Sequence, residues 1–195
     1  MNHDRDRNSD TTGLEDATPG LIGVGKIGSK TAEKAKALNM RVLGLRRDPE
    51  RSHPCADQMF APRELHTLLP QSDRVVLTAA LTAETRGMLG ENDLKIPCSK
   101  LQGIFDRKDV LSNFDMRSLS RFKAMKKSAH IINAARGAVI QANALPKALR
   151  KGWIAGAVPD VFEKEPLDKD SPLWEMETVL IAPHMAGLSP CHVSR

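Results

Sequence analysis

At 195 residues, with 41% apolar and 27% charged side chains and a net charge of +5, the sequence suits one well-buried α/β domain and is too short for two lobes of ordinary size. No run approaches the ~18 apolar residues of a membrane-spanning helix, and the opening residues lack the apolar centre of a secretory signal. The basic residues are scattered, aromatics are few and tyrosine is absent, which is not the clustered surface of a nucleic-acid binder.

Residues 1–17 are polar and charged and read as a disordered or linker-like lead-in. Thr18–Val24 is a short buried strand, with Pro19 tolerable only at its start. A glycine turn then opens a helix whose Ile27, Thr31, Ala35 and Leu38 share one face, with Lys30, Glu33, Lys34 and Lys36 opposite. Arg41–Leu45 is the second strand. Pro62–Leu69 is a short helix with proline at a favoured early position. Arg74–Ala79 is the third strand. Residues 95–122 carry no helical or strand period and read as an insertion. His130–Asn133 is the fourth strand, and Asn143–Lys151 is a helix stopped by Gly152. Ile154–Val158 and Val179–Ala182 are the fifth and sixth strands, and residues 187–195 form a tail. Short apolar strands alternating with amphipathic helices predict a Rossmann-type α/β fold, a doubly wound parallel sheet in three layers.

The glycine turn is Gly23-x-Gly25-x-x-Gly28. Alone the pattern is weak, but here it follows a strand and opens a helix. The first glycine makes the turn, the second lets a pyrophosphate approach the backbone, and the third allows close helix–strand packing. The helix N-terminus supplies amide donors for the phosphates. At the end of the second strand, where a carboxylate would grip the adenosine ribose, stand Arg46 and Arg47. Guanidiniums attract a 2′-phosphate that a carboxylate would repel, so NADP is expected to be preferred over NAD.

Downstream come INAARG, VFEKEP and APHMAG, which hold Arg136, Glu165 and His184. An arginine can fork onto a substrate carboxylate, and a histidine can carry a proton to or from the neighbouring oxygen. A glutamate can hold that histidine charged until the proton is needed. No metal is called for.

From about Leu14 to Pro190, the segments LIGVGKIG, RVLGLRRDP, LTAETRGMLG, INAARGAVI, AVPDVFEKEPL and VLIAPHMAGLSP resemble the nucleotide-binding domain of the D-isomer-specific 2-hydroxyacid dehydrogenases, members of the glyoxylate/hydroxypyruvate reductase type above all. The resemblance implies that Arg136 binds the substrate carboxylate and carbonyl, that His184 is the acid/base and that Glu165 pairs with it. It implies that Asp160 orients the nicotinamide amide and that Thr82 lies near the cofactor. Lys26, Ile27, Ala134, Ala135 and Gly187 complete the implied cofactor contacts, together with Arg136 and His184 themselves. The implied reaction is reduction of a small 2-oxo acid by NAD(P)H, or its reverse, in the cytoplasm, with a homodimer formed through this domain. Against that family, the sequence is expected to lack most of the substrate lobe. Pro159 stands where the family has a residue with an amide hydrogen, so a ladder bond is expected to be missing. Two other readings share these motifs: a nucleotide-sensing interaction module like the C-terminal-binding-protein corepressors, and an inactive, truncated member of the family.

Overall fold

A computed structural model describes residues 13, 14, 16–50, 53–90 and 121–187. Residues 95–120 of the insertion expected at 95–122, most of the lead-in, and the tail beyond Gly187 lie outside these. Six strands form one parallel sheet: β1 (Pro19–Ile22), β2 (Leu43–Leu45), β3 (Gln58–Phe60), β4 (Arg74–Leu77), β5 (His130–Asn133) and β6 (Gly156–Pro159). Their order is β3-β2-β1-β4-β5-β6, the doubly wound arrangement with its switch point between β1 and β4. No described helix is long and apolar enough to cross a membrane.

The sheet buries both faces, as parallel sheets do. In β1, Leu21 and Ile22 are both fully buried but face opposite ways. Leu21 joins Val24, Val42 and Met40 under Ala32 and Ala35 of α1 (Lys26–Ala37). Ile22 joins Leu45, Val75, Leu77 and Ile131 under α2 (Leu65–Leu68) and α3 (Ala144–Arg150), with Phe122 wholly enclosed. Burying each such aliphatic side chain stabilises the fold by roughly 1.5–3 kcal/mol.

The inner face of α1 keeps Ala35 from the expected face but not Ile27 or Leu38. Gly28, Ala32 and Ala35 are buried, whereas Ile27 is 60% and Leu38 49% exposed. Small residues let the helix axis approach the sheet, and Ile27 is left at the mouth of the glycine turn.

Pro62–Leu69 is helical but broken into 3-10, α and 3-10 turns running on to Gln71. Strand β3 is a three-residue edge strand too short for any period to reveal. Gly152 follows α3 in the left-handed region with φ 61°, the usual helix stop. Val179–Ala182 is not a regular strand: a single parallel bridge joins Val179 to Ala157. Ala157 N donates to Thr178 O, Leu180 N to Ala157 O and Ala182 N to Pro159 O. The rung between these, from residue 159 to Leu180 O, has no donor because residue 159 is proline. The expected gap in the ladder is therefore where the sixth predicted strand loses its regularity.

Register makes one edge of the sheet flush. Ile22 pairs with Leu45 and Leu77, Leu77 with Asn133, and Asn133 with Pro159. The next residue on each strand is accordingly Gly23, Arg46, Thr78, Ala134 or Asp160, in one row across the carboxyl edge.

Candidate active site

The row begins with the glycine turn. Gly23 has φ 102°, and a Cβ there would lie 2.6 Å from the backbone of Ala79, so no other residue fits. A Cβ on Gly28 would meet Gly23 O at 2.2 Å and Thr78 Oγ1 at 2.9 Å. Thr78 Oγ1 itself donates to Gly23 O at 2.7 Å, tying β4 to the turn. A Cβ on Gly25 would meet nothing within 4 Å. The protein's own packing therefore demands glycine at positions 23 and 28, while position 25 faces open space. Gly25 caps α1, whose first turn carries no acidic side chain. The positive end of the helix dipole is left uncompensated there, beside exposed Lys26 and Ile27.

Arg46 and Arg47 leave β2 on one side of this turn, and Arg46 N donates to Phe60 O at 3.1 Å. Across the switch point, Thr82 Oγ1 donates to Glu84 Oε2 at 2.5 Å. That bond, then the Glu84 backbone amide and last the positive charge of Arg47, hold the Glu84 carboxyl below the ordinary range.

At the end of β5, buried Asn133 shapes the arginine loop. Ala135 N donates to Asn133 Oδ1 at 3.1 Å, and Asn133 Nδ2 donates to Arg136 O at 3.3 Å. Ala134 N bonds Leu77 O on β4. The exposed Arg136 guanidinium donates from Nη1 to Ala135 O at 2.7 Å. Gly137 explains how close the next loop comes: a Cβ there would lie 1.8 Å from the carbonyl carbon of Phe162. The bare glycine lets the segment carrying Glu165 press against the segment carrying Arg136.

Glu165 then bridges two loops. Its Oε1 accepts from Phe162 N at 2.9 Å, and its Oε2 meets His184 Nδ1 at 2.8 Å. The hydrogen bond from His184, the Phe162 amide and the nearby Arg136 charge hold the Glu165 carboxyl below the ordinary carboxylate range. His184 sits at φ 54°, a conformation costly for a residue with a Cβ and concentrated at functional sites. Its side chain is 50% and that of Glu165 37% exposed. Asp160, at the end of the same row, is buried and accepts the amides of Met185 and Ala186. Gly187 is exposed beyond them.

Arg136, Glu165 and His184 thus converge at the carboxyl edge, with Asp160 behind them and the glycine turn two strands away. Sequence reasoning had not singled out Thr78, Asn133 or Gly137. Asn133 carried a usable signal, a polar side chain ending an apolar strand three residues before the arginine. Gly137 was visible only as the glycine of Arg-Gly, with nothing to say what pressed on it. Chemically, the arrangement offers a dinucleotide cradle, a guanidinium for an anion and an imidazole whose far nitrogen, Nε2, is the one not held by Glu165.

A model of the "D-isomer specific 2-hydroxyacid dehydrogenase, NAD binding domain" matches residues 2–97 and 112–186. The glyoxylate reductase of Aeropyrum pernix is 37% identical over 175 residues, covering 89% of this chain and 43% of that protein. Among solved structures, a probable 2-hydroxyacid dehydrogenase from Rhizobium etli, in complex with NADP, HEPES and L(+)-tartaric acid, is similar with a TM-score of 0.72 and 29% identity, over 92% of this chain and 49% of that one. The apo NADPH-dependent glyoxylate/hydroxypyruvate reductase of Sinorhizobium meliloti gives a TM-score of 0.75 at 25% identity, over 96% of this chain and 81% of that one. The chain spans less than half the length of the curated relatives it matches.

Proposed function

The chain belongs to the D-isomer specific 2-hydroxyacid dehydrogenases, whose NAD binding domain it matches, and on that premise we propose that it is the cofactor-binding and proton-handling part of an oxidoreductase acting on a small 2-oxo or 2-hydroxy acid of the glyoxylate or hydroxypyruvate kind. The observation that carries this reading is the 2.8 Å contact between His184 and Glu165, within the field of Arg136, on the same sheet edge as the glycine turn.

The residues fit a dinucleotide. Gly25 is open where a pyrophosphate needs backbone, Gly23 and Gly28 close the turn beneath it, and α1 offers its amides. A reduced nicotinamide supplies the hydride. The Arg136 guanidinium anchors the carboxylate of the acid, which its planar fork of donors can hold bidentately. His184 delivers a proton from Nε2 to the substrate oxygen, while Glu165 braces Nδ1 and stabilises the imidazolium. Asp160 is assigned to the nicotinamide amide, and Lys26, Ile27, Thr82, Ala134, Ala135 and Gly187 to the cofactor's flanks. Residues 18–186 form this domain, interrupted by an insertion at 95–122.

Arg46 and Arg47 favour the 2′-phosphate of NADP, in keeping with the NADP held by the Rhizobium etli relative. Charged hydrogen bonds contribute roughly 1.5–3 kcal/mol each, less when exposed to solvent, so NADPH is expected to bind one to two decades more tightly than NADH. Fluorescence titration of the full chain at low salt checks this, with Arg46→Asp expected to erase the difference. Equal affinities in the unmodified chain would remove the NADP assignment. His184→Gln and Arg136→Ala are expected to abolish glyoxylate reduction and leave NADPH binding within a few-fold of the original; turnover surviving either change would refute the assigned roles.

A cytoplasmic location and a homodimer through this domain belong to the same reading. The exposure of the His184–Glu165 pair also suits a nucleotide-sensing association module. A cofactor-dependent change in sedimentation without turnover would select that reading instead.

A further inference from the structure

Glu165 reaches His184 through the imidazole, whereas Asp160 reaches it through the main chain. Asp160 follows β6 at the carboxyl edge and is only 6% exposed. Three consecutive amides converge on it. His184 N donates to its carbonyl at 2.9 Å, Met185 N to Oδ1 at 2.8 Å and Ala186 N to Oδ2 at 3.0 Å. The first of these amides belongs to the residue whose φ is 54°. A left-handed residue with a Cβ persists only where its surroundings over-determine it, and here one residue does so, through its carbonyl at His184 and its carboxylate at the two residues that follow. The same residue is tied back to the arginine loop. Asp160 N donates to Asn133 O at 3.0 Å, and the Asn133 side chain bonds Ala135 N and Arg136 O. A single chain of hydrogen bonds therefore runs from the backbone of Arg136 to that of His184.

We propose that Asp160 is a positioning residue: by holding the amides of Met185 and Ala186 it fixes the turn that presents His184 to Glu165. This acts on the protein alone, before any cofactor arrives, and is separate from a contact with the nicotinamide amide. A carboxylate has about four acceptor sites, so two amides leave it room for both. An asparagine fills the same volume but has one oxygen, and its NH2 group would face an amide donor. The carboxylate is thus the only form that satisfies both amides at once. That the positioned imidazole then carries a proton rests on the function proposed above; the positioning does not.

The test uses the isotopically labelled full chain without cofactor. In the unmodified protein, a scalar coupling across the hydrogen bond should join the Met185 amide nitrogen to the Asp160 carboxylate carbon. In Asp160→Asn the Met185 and Ala186 amides should exchange about tenfold faster or more, the loss expected of one charge-assisted hydrogen bond. The Nδ1 proton signal of His184 should broaden into exchange with water. In Glu165→Gln that imidazole signal should change while both amides keep their protection, which separates positioning through the main chain from pairing at the ring. Unaltered exchange in a folded Asp160→Asn, or absence of the coupling in the unmodified chain, would overturn the proposal. If the variant does not fold, the coupling decides alone. NADPH titration of the same samples keeps the two ideas apart. An unmodified chain that fails to bind NADPH sinks the oxidoreductase reading and leaves the positioning result standing.

Discussion

Of the residues at the carboxyl edge, Glu165 ties the assigned roles most directly to a titration. Its carboxyl is held low first by His184 and then by the Phe162 amide. A depressed carboxyl stays ionised above the ordinary glutamate value of about 4.3 and is neutralised only as pH falls through the lowered value. Carbon NMR of the Glu165 carboxyl should therefore give a midpoint below that value, moving back toward it in His184→Gln. A midpoint that does not move would mean that the imidazole contributes nothing to the carboxylate in solution. At this scale the sequence was informative because Arg136, Glu165, His184 and Asp160 sit in short motifs in loops that follow apolar strands. It could not distinguish what each one touches. Asp160 looked like a cofactor contact, and the structure adds two backbone amides of the histidine loop as its partners.

Between elements, the decisive contacts involve residues with nothing to show in a hydrophobic pattern. Gly137→Ala should force the Phe162–Glu163 backbone away, since the added carbon would lie 1.8 Å from Phe162 C. Overpacking of this kind costs about 1–3 kcal/mol, measurable by urea unfolding, and should carry Glu165 away from His184. An unchanged Nδ1 signal for His184 in that variant would contradict the linkage. Pro159 makes the opposite point. In Pro159→Ala a new amide faces Leu180 O, and the restored rung should contribute about 0.5–1.5 kcal/mol. Greater freedom of the unfolded chain offsets roughly 0.4–1 kcal/mol of that. The melting temperature should hence shift little, whereas the amide at position 159 should become protected from exchange and residues 179–182 more strand-like. Period-based reading found β1, β2, β4, β5 and α3 because each is a run of apolar residues with clear limits. It missed β3, whose three residues hold one buried side chain, and on the inner face of α1 it found Ala35 but not Gly28 and Ala32, which closeness of approach rather than size selects.

For the whole molecule, the amino edge of the sheet sets the response to acid. Asp73 joins three strand starts: its Oδ2 accepts Thr18 N at 2.9 Å, its Oδ1 accepts Lys126 Nζ at 2.7 Å, and its carbonyl accepts His130 N at 3.0 Å. Burial pushes the Asp73 carboxyl up, but the Lys126 ammonium, the Thr18 amide and Arg74 outweigh it and hold it low. Asp57 is held low as well, by Lys36 and then by the Val42 amide. Both contributions are complete above the ordinary aspartate value of about 3.9 and fade as pH falls through the lowered values. Urea midpoints should thus begin to fall below about pH 6.5, where His130, held low by burial and by the charge of Arg74, must take up its proton, and fall further below about pH 4 as Asp73 and Asp57 are neutralised. Asp73→Asn should remove part of that slope and cost about 1–3 kcal/mol at neutral pH. A midpoint equally acid-sensitive in this variant would shift the explanation to other carboxyls. The cofactor end responds differently: NADPH at a hundred times its dissociation constant should stabilise the fold by ~2.7 kcal/mol.

The sequence by itself determined the class of the fold, the place of the glycine turn and the identity of the three polar side chains. Each of those is local information: strand-length apolar runs, glycines at fixed offsets and short motifs. Tertiary structure alone decided that Ile22, Leu45, Leu77, Asn133 and Pro159 end flush, which sets Gly23, Arg46, Ala134 and Asp160 in one row. It alone decided that His184 adopts a left-handed turn held by Asp160, and that Gly137 lets two loops meet. The reason is that register and loop contact depend on pairs of residues far apart in the chain, and no single segment carries both members of such a pair.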